Sequence, residues 1–247
     1  MIEAKNLVKI FRDKKRGEIR AVDDISFACK EGEVFGLLGP NGAGKTTTLR
    51  MLSTALRPTS GTAVISGSDI IKEPQMVRRH IGFLSGNTGL YGRLTAREMV
   101  RYFGRLYGMR RAEMEKRIEA LFDMLDMNDF ADSRNEKLSS GMKQKVSIAR
   151  SVLHDPPVMV FDEPTSGLDV MSSRTIVQFI RRCRDDGKCV IFSTHIMSEA
   201  TRLCDRIAII HKGKIYFEGT VQDILGRTGM DNLEDAFIKV VGEQDEN

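Results

Sequence analysis

The spacing of hydrophobic positions changes character along the chain, and each change marks an element. From residue 1 to about 37, short blocks of apolar and β-branched residues (IEAKNLVKIF, RAVDDISFAC and EVFGLL) predict β-structure. The basic, turn-rich DKKRGE segment from Asp13 to Glu18 separates the first two blocks. TTLRMLSTAL then reads as a helix, Pro58-Thr59-Ser60-Gly61 as a turn, TAVISG as a strand, and RHIGFLS from Arg79 to Ser85 as another. Beyond residue 86 the period lengthens. Thr95-x-x-Glu98 is a capping box that opens a helix with Met99, Phe103, Leu106 and Tyr107 on one face, closed by Gly108. A second helix, from about Ala112, places Met114, Ile118, Leu121, Phe122 and Leu125 at helical spacing. No strand pattern lies between them, so residues 86–137 predict a helical subdomain inserted into an α/β core rather than two more crossover helices.

The α/β rhythm then resumes. A helix around Met142 to Leu153 leads to PPVMVFDEP, a continuous apolar run suited to a central parallel strand. A helix near 171–185, the strand CVIFSTH, a short helix near 197–204 and a hairpin turning at Lys212-Gly213 follow. Thr220-x-x-Asp223 caps a final short helix, and the acidic end GEQDEN is expected to fray. The fold class expected is α/β: a mostly parallel sheet with flanking helices, an N-terminal antiparallel β subdomain and an inserted helical subdomain. It is expected as one domain over 1–247. Residues 1–85 and 138–225 form the β subdomain and core, 86–137 the helical part, and 226–247 a short tail.

Composition narrows the class. The 247 residues are 41% hydrophobic and 29% charged, as in ordinary soluble proteins, and the net charge of +4 is a slight basic excess. No Lys/Arg block forms a nucleic-acid footprint, so no nucleic-acid partner is expected. Cys29, Cys183, Cys189 and Cys204 show no metal-ligand spacing and read as reduced thiols of a cytosolic protein. No apolar run approaches the ~18 residues needed to span a bilayer, and the N-terminus lacks a signal-peptide core. Any membrane role is expected to come through a partner chain.

The chemistry concentrates at GPNGAGKTT, comprising Gly39, Pro40, Asn41, Gly42, Ala43, Gly44, Lys45, Thr46 and Thr47. This matches the P-loop template G-x-x-x-x-G-K-[ST], between an apolar strand and a helix. Backbone N–H groups and the helix N-terminus suit phosphate oxygens, Lys45 can reach the β- and γ-phosphates, and Thr46 can ligate Mg²⁺. A nucleoside triphosphate is the expected ligand. Asp162, at the end of a buried strand, is the candidate for holding Mg²⁺ directly or through water. Neighbouring Glu163 diverges from it on an extended backbone and suits the polarisation of the attacking water.

Several motifs together resemble the nucleotide-binding subunit of ATP-binding-cassette transporters. Leu138-Ser139-Ser140-Gly141-Met142 resembles that family's LSGGQ signature. FDEPTSGLD resembles its Walker B segment and D-loop, which ends at Asp169. Ser193-Thr194-His195 resembles its switch histidine, and Phe11 lies where an aromatic stacks on adenine. The resemblance runs from about residue 2 to 225. It implies an ATPase that uses ATP and Mg²⁺, with two copies head to tail so that Ser139, Ser140, Gly141 and Met142 of one face ATP on the P-loop of the other. It also implies that His195 contacts the γ-phosphate beside Glu163, and that Asp169 crosses the interface. The protein is then expected in the cytoplasm, peripheral at the inner face of the membrane through a separately encoded transmembrane permease.

Two departures stand out. The family's Gln after the strand corresponding to IGFLS is replaced by Gly86, flanked by Ser85 and Asn87, which could substitute. In the signature, Ser140 replaces Gly and Met142 replaces Gln. GNTGLYGRLTARE, LSSGMKQKVSIAR and the closing GMDNLEDAFIKVVGE are similar to bacterial exporter subunits of the sodium-extrusion and multidrug type. The alternative is a soluble cassette ATPase, such as one serving iron–sulfur cluster assembly. A P-loop kinase or GTPase needs neither LSSGM nor the Asp-Glu-Pro pair.

Overall fold

The computed structural model describes residues 1–13, 17–86 and 89–245. Two sheets carry the architecture. Strands β1 (Ile2–Asp13), β2 (Gly17–Cys29), β4 (Ser60–Ile65) and β5 (Ser68–Asp69) form an antiparallel sheet in the order β2-β1-β4-β5. The second sheet contains β3 (Val34–Leu38), β6 (Ile81–Leu84), β7 (Val158–Asp162), β8 (Cys189–Thr194), β9 (Arg206–His211) and β10 (Lys214–Gly219). Its order is β10-β9-β3-β8-β7-β6, parallel throughout except that β10 runs antiparallel to β9.

The unbroken apolar runs belong to strands buried on both faces. In β7, Val158 and Val160 face the antiparallel sheet, while Met159 and Phe161 face the helices on the other side; Ile191 and Phe192 of β8 divide the same way. Helix α1 (Lys45–Leu52) lies between the two sheets, its Leu49, Met51 and Leu52 packed with Ile2, Val22 and Ile65 on one side and Phe35 and Val160 on the other. The P-loop is therefore held from both sheets.

Helix α2 (Pro74–His80) precedes β6 and was not legible in the hydrophobic pattern. The longer helices α3 (Ala96–Leu106) and α4 (Arg111–Met124) follow, with the capping box at Thr95 and Glu98 in place. Their Met99, Val100, Ile118 and Phe122 share one core with Val146 of α5 (Ser140–Val152), Ile176 of α6 (Val170–Asp185) and Met159 of β7. The inserted helices thus complete the core over one sheet face. Leu106, expected on the inward face of α3, is 65% exposed, because the helix ends there and the chain turns away at Gly108.

Helices α7 (Met197–Leu203), α8 (Val221–Thr228) and α9 (Leu233–Asp245) cover the β9–β10 end of the sheet. Residues 226–247 were expected as a short tail after a final short helix. Instead α9 buries Leu233, Ala236 and Val240 at helical spacing against Ile207 and Ile209. Among the described residues no helix is long and apolar enough to cross a membrane.

Candidate nucleotide site

Strand order explains why distant residues meet. The carboxyl ends of β3, β8, β7 and β6 lie side by side, with Leu38 level with Thr194, Asp162 with Ser193, and Leu84 with Phe161. The P-loop leaves β3, His195 follows β8, Asp162 ends β7 with Glu163 next to it, and Gly86 follows β6. Ligands of open α/β sheets bind at this edge.

The P-loop is fixed by its surroundings. Gly39 donates its N–H to the Thr194 carbonyl at 3.3 Å, and Gly213 donates to the Ala43 carbonyl at 2.9 Å. Gly44 precedes α1 with φ +109°, and a Cβ there would come within 2.5 Å of the Ala21 carbonyl oxygen. The Lys45 ammonium is buried and donates to the Gly39 and Pro40 carbonyls at 2.7 and 3.1 Å. It also pairs with Glu163 Oε1 at 3.4 Å. Burial pushes its pKa below the ordinary lysine value, and the Glu163 and Asp162 carboxylates act in the opposite direction.

Beside it, Thr46 Oγ1 donates to Asp162 Oδ1 at 3.0 Å, and Ser193 Oγ donates to the same oxygen at 2.7 Å. The Ser193 hydroxyl in turn accepts from the Glu163 N–H at 3.0 Å. Asp162 and Glu163 diverge, but not on extended backbone: Glu163 has φ +47°, a left-handed turn that swings its carboxylate away from Asp162. There Glu163 Oε1 lies 3.1 Å from His195 Nδ1. The cavity of ≈ 370 Å³ in front of them is lined by Asn41, Thr46, Gly86, Asp162 and Glu163, and also by Arg50, Gln144 and Ser166. A smaller hollow of ≈ 130 Å³ is lined by Ala21, Pro40 to Gly42, Gly44 to Thr47 and Glu163. Sequence reasoning missed Gln144, whose amide donates to the Pro164 carbonyl at 2.8 Å and ties the signature helix to the loop after β7.

The other expected site residues stand apart. Ser139 caps α5, accepting from the Met142 N–H at 3.2 Å, and Ser140, Gly141 and Met142 form its first turn. Asp169 caps α6, with bonds from the Ser172 N–H and hydroxyl that hold its carboxyl below the usual carboxylate range. A Cβ on Gly141 would lie 2.8 Å from Ser172 Cβ, so glycine is what lets the two helix starts touch. None of these lines either cavity. Phe11 is 40% exposed on β1 beneath the Lys9 ammonium, and it too lines neither. Gly86 is exposed, and among the described residues a Cβ there would meet only the Asp162 carbonyl oxygen, at 3.8 Å. Asn87 lies outside the described residues.

Comparison with known proteins identifies the arrangement. The family described as ABC transporter matches residues 22–166, which span the P-loop, the signature and the acidic pair. The chain belongs to the ABC transporter family. It is 43% identical over 239 residues to the ABC transporter ATP-binding protein NatA of Bacillus subtilis, covering 96% of this chain and 97% of that protein. It is 36% identical over 250 residues to the probable multidrug ABC transporter ATP-binding protein YbhF of Escherichia coli. That match covers 99% of this chain but only 42% of the longer relative. Among solved structures, the ATP-binding subunit of an ABC transporter superposes with a TM-score of 0.86 at 30% identity, over 98% of this chain and 99% of that one. A dimeric cassette in a post-hydrolysis state bound to ADP and Pi superposes with a TM-score of 0.80 at 28% identity, over 89% of this chain and 98% of that one. The chain is accordingly an ATP-binding subunit of an ABC transporter, and an ATPase.

Proposed function

We propose that two copies of this chain clasp two Mg-ATP head to tail and drive a separately encoded transmembrane permease, exporting sodium ions or drug-like molecules. The observation that carries the reading is a division of the site. Lys45 and His195 both contact Glu163, and Thr46 contacts Asp162, so these five residues form one linked cluster at the P-loop, while the Ser139 helix start and Asp169 line neither cavity there. Phosphate bound at the P-loop is thus contacted from one side only. A second copy that brings its α5 N-terminus up to the other side supplies the missing donors and excludes water. The dimeric form of a similar cassette supports this, and the similarity to a multidrug relative supports export.

Thr46 and Asp162 offer hard oxygen atoms 3.0 Å apart. No group of three or more His, Cys, Asp or Glu that could hold a metal occurs among the described residues. Such a sparse oxygen set fits Mg²⁺, which completes its shell with phosphate oxygens and water. When bound, the ion neutralises charge developing on the phosphates. Glu163 takes the proton of the attacking water, and His195, hydrogen-bonded to it, orients that carboxylate and reaches the γ-phosphate. Phe11 is assigned to the adenine ring from its resemblance to the family's stacking aromatic. The permease brings the chain to the inner face of the membrane.

Glu163→Gln tests the assignment. It should retain ATP affinity, lower turnover by about 10²–10⁴-fold, and elute as an ATP-dependent dimer in size-exclusion chromatography. Hydrolysis at the parental rate would show that Glu163 is not the base.

A further inference from the structure

One carboxylate outside the nucleotide cavity joins the two segments that carry Glu163 and His195. Glu199, in the first turn of α7, accepts from Thr165 Oγ1 at 2.6 Å through Oε1 and from Thr194 Oγ1 at 3.0 Å through Oε2. Thr165 lies in the loop between Glu163 and Asp169, and Thr194 is the residue before His195. Both hydroxyls are buried. The Thr194 oxygen also accepts from the Ile196 N–H at 3.0 Å, so the turn through His195 is held on both sides.

We infer that Glu199 is a positioning residue for hydrolysis. By fastening the loop after Glu163 to the strand end before His195, it sets the distance between that acid–imidazole pair. It also sets the angle at which Ser166 to Asp169 faces a second copy. This inference rests on the reading of Glu163 and His195 given above. The helix does not need the carboxylate to dock, because Ala200 and Leu203 already bury its apolar side. What the carboxylate adds is a second acceptor. Ser193 braces Asp162 and the Glu163 backbone from β8 itself, whereas Glu199 is the only side chain among the described residues that hydrogen-bonds both Thr165 and Thr194. Its length matters, since one planar group spans both hydroxyls.

The test compares Glu199→Ala, Glu199→Asp and Glu199→Gln in the full chain, with Glu163→Gln alongside. Steady-state kcat and KM, binding of a fluorescent ATP analogue and the melting temperature are read for each. A misplacement of about 1 Å costs up to ~10²-fold in rate, so Glu199→Ala and Glu199→Asp should lower kcat by at least about tenfold with analogue affinity changed less than about twofold. Glu199→Gln keeps the length; its amide accepts from one threonine and donates to the other, so it should restore kcat to within about threefold of the parent. Adding Thr165→Val to Glu199→Ala should cost little more than Glu199→Ala alone. Parental kcat in Glu199→Ala would overturn the inference. So would a loss in Glu199→Gln as large as in Glu199→Ala, or a fall in kcat matched by equal losses of binding and melting temperature. If Glu163→Gln itself turns over at the parental rate, the assignment of the acid pair fails, and that outcome is read independently of Glu199.

Discussion

Lys45 is pulled in two directions. Burial lowers its pKa, while Glu163 and Asp162 favour the ammonium. Phosphate binding needs the charged form, so ATP affinity should fall as pH rises through the depressed value, before the ordinary lysine value of 10.5 is reached. Losing a charge-assisted contact is worth about 1.5–3 kcal/mol, or roughly 10- to 150-fold in affinity. Stability of the nucleotide-free protein should move the other way. Over that window the unfolded chain binds the extra proton, so stability rises with pH. Nucleotide titrations and unfolding curves at matched pH test both signs, and affinity that stays flat up to pH 10.5 would contradict the expectation. At this scale the site was largely legible. Lys45, Thr46, Asp162, Glu163 and His195 carry chemistry that local motifs announce. The left-handed Glu163 was not legible, because Val158 to Asp162 continue into it as if extended. Nor were the Ser193–Asp162, Gln144–Pro164 and Glu199–Thr165 contacts, which join residues 31, 20 and 34 positions apart that only the tertiary fold brings together.

Among the elements, the start of α5 is the most constrained. Gly141 lies against Ser172, so Gly141→Ala forces the beginnings of α5 and α6 apart by the overlap at 2.8 Å. It should lower the melting temperature by an amount equivalent to about 1–3 kcal/mol and weaken ATPase activity; an unchanged melting curve would show that the helix starts can separate freely. The loop after β6 is the opposite case. Gly86 has room for a side chain, so Gly86→Gln should leave stability within about 0.5 kcal/mol of the parent and ATPase activity no lower. A drop in activity would mean that the natural glycine is required. Sequence pattern recovered α3 and α4, whose capping box and periodicity are strong, and the double-faced strands β7 and β8. It missed α2, seven residues long with one buried apolar side chain. It also missed α9, whose outward Ile238 blurs the buried stripe of Leu233, Ala236 and Val240.

Across the whole molecule, parallel strand order gathers the nucleotide machinery at one edge and leaves the signature helix start and Asp169 facing elsewhere. Sequence motifs named the candidate residues. Only the topology, β3-β8-β7-β6, explains why the P-loop, His195, the acidic pair and Gly86 meet at one edge of the sheet while Ser139 lines neither cavity there. That separation is the physical reason to expect a shared site between copies. Turnover per molecule, measured at saturating Mg-ATP over a dilution series of the purified protein, tests it most directly. Activity per molecule should fall with dilution once dimers dissociate, and adding back inactive Glu163→Gln protein should partly restore it by supplying intact signature surfaces. Turnover that stays constant down to concentrations where sedimentation finds only monomers would contradict the shared site.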